Sequence, residues 1–262
     1  MCTIAILFGV AESPVVLAAN RDELYARPTR GPEVLAHTRH GAVVGGIDVQ
    51  AGGTWLAIRA DGRFAAVTNH RAIDPNRPAS LKSRGTVVRE LAITDDPDGY
   101  VAALDPRAYA SMNVVWGDAD RVSVAYTRRE LGTLDTAALP HGVHVLANDR
   151  LGSPGFPGGD RLHAAIDQVL ALPGGRRWAM LESQLRTALA SRERCPIDQV
   201  PPSHLPQELA RELTATCIYS PTYGTRSSTI AAIERGRVSH YLFADGPPDV
   251  TPYRDITALE SP

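Results

Sequence analysis

The 262-residue sequence has few cysteines and a single lysine. Its three cysteines, Cys2, Cys195 and Cys217, are odd in number and widely spaced. This pattern excludes a disulfide framework and paired metal-ligand spacing, and it predicts reduced thiols. Because Lys82 is the only lysine, lysine-based base or nucleophile chemistry has one side-chain candidate besides the amine of the chain terminus.

The sequence also lacks long apolar or basic runs. No apolar stretch approaches the roughly 20 residues of a membrane span, and the N-terminus has no signal-peptide pattern. A formal net charge of −2 argues against a nucleic-acid or anionic-lipid footprint. The motifs of nucleotide loops, zinc proteases and serine esterases are absent as well. We expect a cytoplasmic protein whose partner is a small molecule.

The composition that remains is that of an ordinary globular protein, with 44% hydrophobic and 21% charged residues. Apolar runs of strand type are spread along the whole chain, which favours a single domain over residues 1–262. These runs cover residues 2–8, 15–20, 54–59, 63–68, 111–116, 121–127, 142–146, 214–219, 228–233 and 238–243. Helical spacing covers residues 83–93, 99–104, 161–172, 177–190 and 205–213. This order of strand and helix blocks predicts two antiparallel sheets covered by helices.

The cysteine at position 2 opens the first predicted strand. Initiator methionine is normally removed before a small residue, so the mature chain would carry a thiol and a free α-amine on one residue. The amine, with a reference pKa near 7.7 to 8.0, can accept the thiol proton. A cysteine at the start of a core strand is equally typical of packing, and position alone favours that interpretation.

Five separated motifs then point to a family. They are "MCTI" at residues 1–4, "NRDE" at 20–23, "GGTWLAI" at 52–58, "TNHR" at 68–71 and "YGTRSST" at 223–229. Together they resemble the NRDE family, the homologues of transport and Golgi organisation protein 2. The resemblance implies a branch of the N-terminal-nucleophile hydrolase fold, an α+β, four-layer αββα sandwich of two stacked antiparallel sheets.

Similarity to the cysteine branch of that fold, the penicillin V acylases and bile salt hydrolases, implies roles for five residues. Cys2 matches the nucleophile, Asp22 the partner of its amine, and Asn69 an oxyanion donor. Asn148 resembles a second asparagine that contacts the site, and Arg226 a late supporting arginine. We further expect Asn20, Arg21 and His70 to contact the substrate, although an ion pair between neighbouring charges is the competing interpretation for the "NRDE" residues.

One position departs from the hydrolase pattern. The hydrolases have Arg-Asn-x-Asp where this chain has Ala19-Asn20-Arg21-Asp22, so their first arginine is missing. From strand alternation we expect Arg21 to point in a different direction from the missing side chain.

Two classes of function follow. In the first, the protein is an N-terminal cysteine hydrolase of linear amides or acyl compounds that needs no cofactor and no metal. In the second, the same pocket binds haem, a lipid or an acyl-CoA without turning it over, as the connection of the family with haem and lipid metabolism implies. The spacings His37-x-x-His40 and His141-x-x-His144 and the Cys195-Pro196 dipeptide are better explained by loop residues than by metal or haem ligation.

Overall fold

The computed structural model describes residues 2–71 and 80–260. Within these ranges the chain forms thirteen strands. They are β1 (Thr3–Phe8), β2 (Val15–Leu24), β3 (Thr29–Thr38), β4 (Gly41–Asp48), β5 (Leu56–Arg59), β6 (Phe64–Asn69), β7 (Met112–Gly117), β8 (Val122–Arg128), β9 (Thr133–Ala138), β10 (Gly142–Leu146), β11 (Tyr223–Glu234), β12 (Arg237–Ala244) and β13 (Arg254–Asp255). The five α-helices of the same ranges are α1 (Arg84–Ile93), α2 (Pro97–Ala102), α3 (Pro157–Leu170), α4 (Trp178–Leu189) and α5 (Gln207–Glu212).

The strands form two antiparallel sheets. One has the order β10-β1-β2-β11-β12-β13, and the other runs β3-β4-β5-β6-β7-β8-β9 in sequence order. The second sheet is a continuous meander, because each strand pairs with its neighbours in sequence. The first sheet is assembled from both ends of the chain, and its centre is the pairing of β2 with β1 and β11.

Alternation along each strand produces four layers. On β1, Ile4 and Ile6 point into the core between the two sheets, whereas Ala5 and Leu7 pack against α3 and α4. The outer face of the second sheet packs in the same way against α1 and α2, where Leu91 is fully buried. The chain is therefore an αββα sandwich, which confirms the predicted fold class.

Most of the predicted elements are present. The helices begin or end within a few residues of the prediction, and the Asp61-Gly62 turn joins β5 to β6. The strand predicted at residues 214–219 is wrong, because these residues form turns and a single bridge at Tyr219. The strands β3, β4, β9 and β13 were missed. The edge strands β3 and β9 are half-buried or exposed and carry many polar residues, β4 contains a glycine pair, and β13 has only two residues.

No helix in the described part of the chain is long and apolar enough to cross a membrane.

Candidate active site

A cleft with a volume of about 800 Å³ opens beside the N-terminal end of β1. Its wall brings together Cys2, the ends of β2 and β6, and the start of α1. The lining residues used below are Cys2, Arg21, Glu23, Arg27, Asp48, Trp55, Asn69, Lys82, Ser83, Arg84 and Gly85. Two of the residues selected from the sequence as catalytic, Cys2 and Asn69, therefore share one cavity, together with Arg21.

Cys2 precedes β1 and is half-buried. Its Sγ lies 3.9 Å from the backbone oxygen of Asp22 on the neighbouring strand. Burial raises the pKa of the thiol above its ordinary value, so at neutral pH the group is protonated. A reaction at this sulfur therefore needs a base that takes the thiol proton.

Asp22 is 2% exposed, and it is the residue whose backbone oxygen lies 3.9 Å from Cys2 Sγ. Its Oδ1 accepts a hydrogen bond from Thr225 Oγ1 on β11 at 2.6 Å. Burial raises the pKa of this carboxyl from 3.8 to about 7, which brings its titration into the physiological range. The position suits the partner of an N-terminal ammonium, the role that the resemblance implies.

Arg21 and Trp55 form the inner wall of the cleft. Arg21 is 5% exposed, and its guanidinium carbon lies 4.2 Å from the centre of the indole ring. Among the described residues its Nη1 has no hydrogen-bond partner. Gly46 leaves room for the indole, since a Cβ there would overlap the ring.

The expectation that Arg21 points in a different direction from the missing arginine side chain is wrong. Residues 19 and 21 are two apart on β2, so alternation puts them on the same face of the sheet. Ala19 packs against the core between the sheets, and Arg21 continues that face into the cleft. The arginine of this chain thus enters the inter-sheet space from a position one pleat further along the strand.

Asn69 and Asn148 are coupled through the backbone. Asn69 ends β6 and lines the cleft, whereas Asn148 is 2% exposed and lies behind it. The Nδ2 of Asn148 donates a 2.6 Å hydrogen bond to the backbone oxygen of Asn69. Asn148 therefore holds the end of β6 in place and does not line the cleft itself.

His70 turns away from the cleft. Its Nε2 lies 3.5 Å from Asp149 Oδ1, a carboxylate that also contacts Arg128 at 3.4 Å. Burial, and next the charge of Arg128, lower the pKa of the imidazole. No histidine of the described residues lines the cleft, so imidazole is not available there as a base.

Asn20 is buried on the opposite face of β2 from Arg21. Its Nδ2 donates to the backbone oxygens of Leu189 and Thr216, each at 2.9 Å. The side chain thus ties the sheet to the end of α4, so its amide donors are already engaged on the helix side.

Arg226 occupies a β-bulge. Thr225 pairs with Asp22 and Ser227 with Arg21, which leaves Arg226 as the extra residue of β11. Its Nη1 donates to the backbone oxygens of residues 24, 25 and 27 after β2. The bulge therefore directs the arginine to the turn that carries Arg27 into the cleft wall.

Sequence reasoning missed Trp55 and the start of α1. Trp55 lies in the "GGTWLAI" motif at residues 52–58, but none of the site roles predicted from the sequence fell on it. Gly53 and Gly85 permit a close approach of the two backbones, since a Cβ on either would meet the other segment within 3.0 Å. The single lysine, Lys82, was the signal in the sequence for this end of the cleft.

The described residues offer no ready metal site. They contain no group of three histidine, cysteine, aspartate or glutamate side chains that could hold a metal ion. His40 contacts Asp95 at 3.2 Å, and His141 packs against the ring of Phe8. Cys195 is half-buried in a loop.

Comparison with known proteins finds a matching family model and related sequences. The family model for Transport and Golgi organisation 2 matches residues 1–242. The human Transport and Golgi organization protein 2 homolog is 28% identical over 233 residues, which are 84% of this chain and 82% of the human protein. The mouse homolog is 27% identical over 245 residues, 88% of this chain and 85% of that protein.

Among solved structures, an arginine-to-leucine variant of the conjugated bile acid hydrolase from Clostridium perfringens is similar in fold. It superposes with a TM-score of 0.50 at 12% sequence identity, covering 99% of this chain and 94% of the hydrolase. At this identity the likeness concerns the fold, which is that of the N-terminal-nucleophile hydrolases.

Proposed function

The chain belongs to the Transport and Golgi organisation 2 family, and we propose that it is an N-terminal cysteine hydrolase of linear amides or related acyl compounds. The observation that carries the proposal is the position of Cys2 on the cleft wall, with its sulfur 3.9 Å from the backbone of Asp22. The proposed reaction uses side chains, the chain's own amine and water, and it needs no cofactor.

The reaction begins after removal of Met1, which leaves Cys2 with a free α-amine. The amine takes the thiol proton, and the sulfur attacks the acyl carbon to form a tetrahedral oxyanion. Collapse breaks the bond to the leaving group, which departs with the proton from the ammonium, and a thioester remains on Cys2. A water molecule then attacks the thioester, the acid is released and the sulfur regains a proton.

The surroundings of Cys2 support the amine as the base. The raised thiol pKa makes a base necessary, and no histidine of the described residues lines the cleft. The carboxylate of Glu23, which does line it, already accepts the backbone N–H of Leu24 at 2.9 Å. Asp22, buried beside the terminal residue, is the group that would hold the ammonium.

Asn69 is the proposed oxyanion donor, and Asn148 is its positioning residue. The hydrogen bond from Asn148 to the backbone of Asn69 fixes the end of β6 without occupying the cleft. Loss of one oxyanion donor typically lowers turnover by about 100- to 1,000-fold. We therefore expect Asn69→Ala to lower turnover in that range while leaving thiol labelling of Cys2 intact.

The alternative function is a carrier that binds haem, a lipid or an acyl-CoA in the same cleft without cleaving it. A carrier of apolar ligands would be indicated by a retained Met1, which blocks the amine of Cys2, and by a wide apolar cleft. The wall instead carries six charged side chains, which argues against an apolar lipid as its ligand. Among the lining residues described, Cys2 alone offers a soft ligand for haem iron.

The test is the intact mass of protein made in a methionine-trimming host, before and after an electrophilic thiol probe. The hydrolase requires loss of Met1 and labelling that disappears in Cys2→Ala but persists in the matched control Cys195→Ala. A screen of amide and thioester substrates then follows, in which Cys2→Ala must be inactive. Retained Met1, or labelling that ignores Cys2, would refute the hydrolase, and haem and lipid binding would be tested instead.

A further inference from the structure

The end of the cleft at the start of α1 has an excess of positive charge. Four lining side chains are cationic, namely Arg21, Arg27, Lys82 and Arg84, and two are acidic, Glu23 and Asp48. Asp48 is paired with Arg27 at 2.7 Å, so it neutralises one of the cations. A chain of net charge −2 thus has a cationic cleft, which favours an anionic ligand.

The helix α1 directs its N-terminus at this cleft. Ser83, the N-cap residue, makes no side-chain capping hydrogen bond, and the first turn contains no acidic residue. Both Ser83 and Gly85 line the cavity. The first N–H groups of a helix have no partner inside it and carry partial positive charge, an arrangement that binds phosphate.

Arg21 gives an independent indication of an anion. The side chain is 95% buried, and its Nη1 lacks a hydrogen-bond partner among the described residues. A buried guanidinium N–H without an acceptor is costly, and an oxyanion ligand would supply one. The backbone of Thr54, next to the Trp55 on which Arg21 stacks, donates to the oxygen of Gly85 at 3.2 Å, so Arg21 and α1 lie on connected parts of one wall.

From these contacts we propose that the cleft contains a phosphate-binding subsite formed by Arg21, Lys82 and the N-terminus of α1. The phosphate belongs to the ligand, and the remainder of that ligand extends along the cleft toward Cys2. Lys82 is exposed and lines the cleft, and it forms no salt bridge with the described residues. The subsite is independent of the proposed hydrolysis, because none of its groups takes part in the reaction at Cys2.

The experiment is calorimetric titration of the full-length Cys2→Ala protein with inorganic phosphate and pyrophosphate. This background removes thiol chemistry, so failure of the hydrolase proposal cannot influence the result. We expect saturable binding that Lys82→Gln weakens about tenfold, the value of one charge-assisted hydrogen bond. Arg89→Gln, which removes an exposed cation from α1 outside the cleft lining, should leave the affinity unchanged.

A second variant separates binding from folding. Ser83→Asp places a carboxylate at the N-cap, which should stabilise α1 while repelling phosphate. We expect a higher melting temperature together with loss of phosphate binding. The proposal would be overturned by an absence of saturable binding, by equal effects of Lys82→Gln and Arg89→Gln, or by acetate binding as tightly as phosphate.

Discussion

The titration of Asp22 should be visible in the stability of the whole protein. Its folded-state pKa of about 7 lies above the ordinary 3.8, because burial opposes the charged form. Between these two values the folded state holds more protons than the unfolded state. The free energy of unfolding therefore falls as pH rises through this window, and the contribution of the neutral carboxyl is fully present only below the ordinary pKa.

The magnitude follows from the shift. A rise from 3.8 to about 7 corresponds to roughly 4 kcal/mol at 1.36 kcal/mol per pKa unit. The side chain is 2% exposed, so solvent screening reduces this value little. Roughly 4 kcal/mol is therefore the upper bound on the contribution of this one carboxyl to the free energy of unfolding. Asp22→Asn keeps the shape and the acceptor for Thr225 but removes the charge, so it should abolish this part of the pH dependence.

The assay is urea denaturation of wild type and Asp22→Asn at half-unit steps from pH 5 to pH 8. The mutant should gain stability relative to wild type as pH rises, by about 2.7 kcal/mol across the range, because about two pKa units separate pH 5 from the folded-state pKa of about 7. The matched control is Asp61→Asn. Burial alone would raise the Asp61 pKa, but hydrogen bonds from Arg59 and Arg63 bring it below its ordinary value, so that stability is lost only as pH falls through the acid range. The Asp61 difference should stay flat above pH 5, and a flat difference for Asp22 would refute the reasoning.

Three further predictions concern the cleft. Gly46→Ala should displace the indole of Trp55 and lower the free energy of unfolding by about 1 to 3 kcal/mol through overpacking. The tryptophan emission spectrum should change, and an unchanged spectrum would contradict the contact between Gly46 and the indole. Asn148→Ala leaves the backbone oxygen that it binds without its partner, so unfolding should become easier by about 1 to 3 kcal/mol in denaturant. The alkylation rate of Cys2 should increase at a higher pH than the alkylation rate of a small-molecule thiol, because burial raises the pKa of Cys2. Burial raises the pKa of Cys217 to about 12, so this thiol should not react at pH 8. Peptide mass mapping distinguishes the two sites.

Much of the fold could be predicted because its strands alternate or form short apolar runs. The pairing of β1 with β2 and the hairpin of β5 and β6 follow from such runs and their turns. The exposed edge strand β3 gives no comparable signal, because its side chains are mostly polar or half-buried. Apolar composition also gave a wrong prediction, because Cys217 and Ile218 are buried although they do not belong to a strand.

The candidate site was predictable in identity but less so in geometry. The position of Cys2 at the head of β1 and of Asn69 at the end of β6 follows from local sequence. The contact of Asn148 with the backbone of Asn69 joins residues 79 apart and could not be inferred from spacing. The direction of Arg226 depends on a bulge, and a bulge shifts all later alternation by one residue, so a period of two cannot predict it.

The "NRDE" tetrapeptide is best understood as two pairs on opposite faces of β2. Asn20 binds backbone oxygens near α4, and Asp22 binds Thr225, so both anchor the strand from the helix side. Arg21 and Glu23 line the cleft. Substitution of Asn20 or Asp22 should therefore change mainly the stability of the protein and the position of the N-terminal residue. Substitution of Arg21 or Glu23 should change mainly the affinity for the ligand. The missing arginine at position 19 fits this division, since Arg21 already brings a guanidinium into the inter-sheet face beside Trp55.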